Sequence, residues 1–176
     1  MIEQIRNKIA GRIVDKKLRT KSIPNRSFKN ILKNCSSFFV IMPEIEDDFQ
    51  KSKSVLTFLE KHDKIISLLT FDFRRNTFPE TFFREIIEYG LIDYSKVGLP
   101  SKRLTGQLKQ KVFDAVIDLN RGENLFCSFT ANLVHSNLII GFAKSNSDKY
   151  YNIQIDDNED NPEISYKNFI NCLQMF

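Results

Sequence analysis

From residue 37 onward, short apolar runs of strand length alternate with stretches whose apolar residues recur at helical spacing. No other feature restricts the fold as strongly. A run that is apolar on both faces must be covered on both, and strands that alternate with helices are joined by crossovers, which makes neighbouring strands parallel. The clearest strands are residues 37–42 (SFFVIM), 64–71 (KIISLLTF) and 112–119 (VFDAVIDL). Residues 137–142 and 150–155 read as further strands, and 94–99 as a short one. Helices are expected over 49–62, with Val55, Phe58 and Leu59 inward, over 81–89 with Gly90 as the residue that closes it, over part of 102–110, over 124–135 and over 165–173. The pattern predicts an α/β fold, a Rossmann-like three-layer domain with a mainly parallel sheet, preceded by a basic N-terminal helix.

That helix rests on Ile2, Ile5, Ile9 and Ile13, spaced by three and four on one stripe, with Pro24 ending the region. Charge separates it from the rest. Residues 1–34 hold ten Lys and Arg against Glu3 and Asp15, a balance of +8 in a chain whose total is +4, so the remainder carries −4. The expected division is a basic leader helix and linker over 1–34 and a single α/β domain over 35–176. Three uses of the isoleucine stripe stay open: docking on the domain, self-association or a protein partner, and contact with an anionic membrane surface. A net-acidic body without a stacking platform argues against nucleic acid.

The 176 residues suffice to bury a core without staples, and sixteen Phe with no Trp predict that rings fill it. Cys35, Cys127 and Cys172 are odd in number, far apart and outside any metal-ligand spacing, so they read as free thiols in a reducing compartment. With no apolar stretch approaching the roughly 20 residues of a membrane span, a cytoplasmic location is expected, peripheral at the inner membrane face if the leader binds lipid. No metal site and no cofactor are expected: the chain lacks G-x-G-x-x-G, G-x-x-x-x-G-K, G-x-S-x-G and H-E-x-x-H. His62 and His135 fall at predicted helix ends and read as structural.

What remains is positional. In an open parallel sheet the ligand crevice lies outside the carboxyl ends of the strands. Polar residues just after a strand are therefore the candidates: Glu46, Asp47 and Asp48 after the first, Asp72, Arg74 and Arg75 after the second, and Asp118, Asn120 and Arg121 at the end of VFDAVIDL. Converging carboxylates and guanidiniums suit sugar hydroxyls or a phosphate. The same residues have structural readings: Asp47 with Gln50 as a capping box, Asp48 in a first helical turn, Asn120 as a cap of the next helix. The acidic run 156–163 reads as a solvated turn.

Two segments carry a family resemblance. FFVIMPEIEDDFQKSKSVLTFLEK resembles the opening strand, Gly-Asp loop and Pro-Ala-Leu helix of glycosyltransferase family nine, the ADP-heptose:lipopolysaccharide heptosyltransferases. FDAVIDLNRGENLFCSFTANLVHSNLIIGFA is similar to that family's Asp-x-x-Ile-Asp-Leu strand, small-residue helix and Ile-Gly-Phe strand end. Asp47 stands at the family's glycine and Ser54 at its proline. Small uncharacterised proteins of Bacteroidetes-type bacteria are similar too. The resemblance implies the acceptor-binding half of such an enzyme, with Asp48 as the catalytic base; position after the strands puts Asp47, Asp72, Arg74, Arg75, Asn120 and Arg121 around the ligand. It implies either a non-catalytic binding or partner module in envelope glycan metabolism, or half of a split glycosyltransferase active with a separate donor-binding chain.

Overall fold

The computed structural model describes residues 2–18, 30–79 and 82–175. In chain order these form α1 (Ile2–Leu18), α2 (Ile31–Asn34), β1 (Ser37–Ile41), α3 (Glu46–Lys61), β2 (Ile65–Phe71), β3 (Glu85–Tyr89), α4 (Lys102–Leu108), β4 (Ala115–Asp118), α5 (Leu125–Ala131), β5 (Ile139–Phe142), β6 (Ile153–Ile155) and α6 (Pro162–Met175), with short 3-10 turns between. The six strands make one sheet in the order β3-β2-β1-β4-β5-β6, and all five pairings are parallel. This is the three-layer Rossmann-like domain that the alternation predicts.

Strand side chains alternate between two cores. Phe38, Val40 and Met42 join α2, α3 and α6 on one face; Phe39 and Ile41 join α1, α4 and α5 on the other. Phe38, Phe39, Val40 and Ile41 are fully buried, and burial contributes about 1.5–3 kcal/mol for each such side chain. Substitutions in β1 therefore damage both layers at once. From β1 the chain proceeds outward through β2 to β3, and from β4 outward through β5 to β6. The winding reverses between β1 and β4, and their carboxyl ends diverge into a crevice.

Several expectations change. Residues 81–89 do not form a helix: 85–89 are the edge strand β3, paired with β2, and Thr81 lies outside the described residues. Phe82, Phe83, Ile86 and Ile87 mimic helical spacing, but Ile87 and Tyr89 point to one core while Ile86 packs on the other, the period of a strand. Gly90 is extended (φ −138°) and closes no helix; a β-carbon there would stand 2.4 Å from an Asp72 carboxylate oxygen. Residues 94–99 form a turn through Gly98 (φ 78°) with one antiparallel bridge, Tyr94 to Pro100, and no strand. The caps move as well: Ile45 is the N-cap of α3, ahead of the Asp47–Gln50 box, and Asn124 rather than Asn120 caps α5 by accepting from the Cys127 N–H at 3.0 Å.

Among the described side chains of α1, Ala10 and Val14 are buried in the core shared with α5 and Ile9 is 44% exposed, while those of Ile2 and Ile5 lie outside the described ones. The linker around Pro24 lies outside the described residues. Cys35 and Cys127 are buried, Cys172 is half-buried, and all three are free. Burial pushes each thiol above its ordinary value, which suits a packing role. Among the described residues no helix is long and apolar enough to cross a membrane.

Candidate functional site

The crevice has two flanks, one on each side of the sheet. On the α3–α6 flank, Asp48 in the first turn of α3 meets Arg121, which follows β4: Oδ1 accepts from a guanidinium N–H at 3.2 Å. Arg121 also donates through Nε to Asp157 at 2.7 Å and to the Glu159 carbonyl. Asp157 in turn accepts from the Ser165 hydroxyl at 2.6 Å, which ties that residue to α6, while Asp156 and residues 158–161 of the acidic run are exposed as expected. The side chains of Asp48, Asp157 and Arg121 are 8, 9 and 17% exposed. The two carboxylates share one cation, and that cation fastens the loop before α6 to the start of α3.

Arg74 also closes on protein. Its guanidinium donates to the Pro43 and Glu44 carbonyls at 2.5 and 2.7 Å and to Glu46 at 3.0 Å, and it stacks on Phe49 at 4.2 Å. It is 4% exposed and clamps the loop after β1. Arg75 pairs with Glu88 at 3.3 Å, Asp72 accepts the Phe73 N–H, and Asp47 is exposed.

The opposite flank, beneath α1 and α5, opens as a cleft of about 930 Å³. Glu44, just after β1, lines it and accepts on one oxygen from the Tyr89 and Tyr94 hydroxyls at 3.0 and 2.6 Å. The two rings stack on Phe126 of α5 at 4.9 and 4.3 Å, so the donors arrive on a rigid aromatic wall. Burial first, then neighbours that include the Glu44 carboxylate, holds both phenols far above the ordinary tyrosine range. They stay donors, and the other oxygen of Glu44 has no protein donor among the described residues.

Behind the cleft lies Asp118, the last residue of β4 and fully buried. Its Oδ1 accepts from the Asn120 backbone N–H and side-chain amide at 3.0 and 2.7 Å, and its Oδ2 from Tyr151 at 2.6 Å. Tyr151 reaches it by lying across β5. A β-carbon on Gly141 would stand 2.9 Å from that ring, so glycine is what lets the tyrosine lie flat. Burial, reinforced by Asp118, pushes the Tyr151 hydroxyl far up, and Ser128 of α5 shares a hydrogen bond with it at 2.7 Å. Lys144, just after β5, completes the group with Nζ 3.3 Å from Tyr151 and 3.7 Å from Asp118. Its side chain is 4% exposed on the wall of the cleft, and its third N–H has no protein acceptor among the described residues.

The structure thus joins Asp48 to Arg121 and Asn120 to Asp118, and sets none of Asp47, Asp48, Asp72, Arg74, Arg75, Asn120 and Arg121 on the cleft wall. The side chains that do line it, Glu44, Tyr94, Ser128, Lys144 and Tyr151 among them, escape the sequence reading. Glu44 and Lys144 each follow a strand, so the positional rule extends to them, but face cannot be read from position once the strand has ended. The tyrosines arrive by folding alone. Among the described residues no cluster of His, Cys, Asp and Glu is arranged to hold a metal ion.

No family model matches the chain, and no curated protein matches it in sequence. Among solved structures it is similar to a crystal structure of a glycosyl transferase family 9 protein from Veillonella parvula DSM 2008, with a TM-score of 0.60 and 15% identity. The match covers 80% of this chain and 42% of that one. At that identity the likeness is one of fold: the chain is a glycosyltransferase-like α/β domain, spanning less than half the length of the structure it resembles.

Proposed function

We propose that the chain is a non-catalytic glycan-binding module in envelope glycan metabolism, built on a glycosyltransferase-like fold, with its ligand in the Glu44–Lys144 cleft. One observation carries the reading. Glu44 and Lys144 stand on either side of β4 at the reversal of the sheet, one with a spare acceptor and the other with a spare donor, beside the half-buried ring of Tyr94. A sugar offers hydroxyls that donate and accept and an apolar ring face, which suits such a wall. Asp48 is ion-paired with Arg121 through one oxygen and does not line the cleft.

Titration calorimetry with a lipopolysaccharide inner-core oligosaccharide tests this. Binding should weaken at least about tenfold in Glu44→Gln, which leaves the tyrosines an acceptor but removes the charge, and should persist in Asp48→Asn. Persistence in Glu44→Gln with loss in Asp48→Asn would sink the proposal.

The likeness of fold to a glycosyl transferase keeps a second reading, half of a split transferase completed by a donor-binding chain. Arg121 would then have to leave Asp48 when the halves join. Turnover by a reconstituted pair that vanishes in Asp48→Asn would favour this reading; a stable pair without turnover would reject it.

A further inference from the structure

The helix α1 presents three distinct faces. Ala10 and Val14 are buried in the core under the cleft, and Gly11 and Asp15 line the cleft itself, with Asp15 paired to Lys149 at 3.3 Å. Lys8, Arg12 and Lys16, spaced by four, are all exposed, and none of them has an ion pair among the described residues. At about 100° per residue this cationic ridge lies roughly 180° from the Ala10–Val14 seat. Ile9, 44% exposed, stands at its edge. The helix is thus held to the body by one face and carries on the opposite one cations without an ion pair among the described residues.

We infer that this ridge is a docking surface for an anionic lipid bilayer, and that α1, as a wall of the cleft, brings the cleft opening beside the membrane. Charge complementarity selects the partner and the orientation. The basic α1, with five Lys and Arg against Glu3 and Asp15, is drawn to an anionic surface while the −4 of residues 35–176 is pushed away from it, so the molecule approaches α1 first. Ile9 contributes an apolar edge of the kind that enters the headgroup region. The inference does not depend on what occupies the cleft.

The test is sedimentation of the full chain with phosphatidylcholine vesicles, with and without phosphatidylglycerol. Binding is expected only to the anionic vesicles, and the triple variant Lys8→Gln, Arg12→Gln, Lys16→Gln should lower partitioning on the order of 100-fold. A control with the same change in net charge, Lys102→Gln, Lys109→Gln, Lys167→Gln, removes exposed lysines elsewhere and should bind as wild type does. The ridge is exposed, so thermal midpoints of wild type and ridge variant should agree; agreement excludes misfolding as the cause of lost binding. Equal loss in the control, undiminished binding by the ridge variant, equal binding to neutral vesicles, or preference for duplex DNA over anionic vesicles would each overturn the inference.

Discussion

The two flanks of the crevice solve the same problem in different ways. Each must hold carboxylates at the carboxyl ends of parallel strands, where desolvation penalises an unpaired charge. On the α3–α6 flank Arg121 neutralises Asp48 and Asp157 together, with Asp48 accepting on one oxygen. On the α1–α5 flank tyrosine hydroxyls donate to Glu44 and Asp118, and Lys144 stands 3.7 Å from the Asp118 carboxylate. Arginine forks lock a loop to a helix. Phenols leave charge and unused donors facing a cleft. The first flank ties a loop to a helix; the second carries the proposed ligand site.

The largest effect separating them should come from removing the buried charges. Asp118→Ala leaves Lys144 without its counterion and Tyr151 without its acceptor, and should cost about 3–5 kcal/mol in denaturant unfolding. Asp48→Ala leaves Arg121 bound to Asp157 and should cost about 1–2 kcal/mol. Equal costs would break the contrast. Next is Gly141→Ala, which drives a methyl group into the Tyr151 ring and should destabilise by about 1–3 kcal/mol. It should also weaken glycan binding, whereas a variant at Ser54, on the outer surface of α3, should do neither.

Tyrosine ionisation sharpens the comparison. All five tyrosines are held above their ordinary value of 10.0, by burial before any other cause. Stability is unaffected below that value. As pH rises above it, the unfolded chain loses phenolic protons that the folded chain retains, and stability falls. Tyrosinate absorbance should therefore rise in one cooperative step that coincides with loss of helical circular dichroism; independent titration near 10 would contradict the packing of the aromatic wall.

The smallest effect should be at the opposite edge of the sheet. Asp114 accepts from the Ser36 and Ser37 N–H groups and the Ser37 hydroxyl, each at 2.9 Å, and those bonds, the Ser37 backbone N–H first, hold its carboxyl below the ordinary 3.8. Its contribution is present above 3.8 and lost as pH falls through the lowered value. Asp114→Asn should lower the thermal midpoint slightly at neutral pH, with the difference vanishing in acid. A difference independent of pH would assign the effect to shape instead of charge.

The sheet was legible because β1, β2 and β4 are apolar on both faces, which only a covered parallel sheet accommodates. The edge strand β3 was not, because two aromatic–isoleucine pairs at helical spacing outweighed its period of two until pairing with β2 was seen. The positional rule points to the carboxyl edge of the sheet, where the cleft opens, and does not distinguish the two flanks. A residue after a strand has left the strict alternation, so nothing local distinguishes Glu44, which turns to the cleft, from Asp48, which turns to Arg121. The tyrosine partners come from 45 and 50 residues away for Glu44 and 33 for Asp118, distances over which pattern carries no information.

The most direct test of the account is amide chemical-shift mapping of the labelled chain titrated with the inner-core oligosaccharide. The predicted result is a saturable set of shifts at Glu44, Tyr94, Ser128, Lys144 and Tyr151, with Asp48, Arg121 and Asp157 unmoved. Shifts centred on Asp48 and Arg121, or none at all, would contradict it.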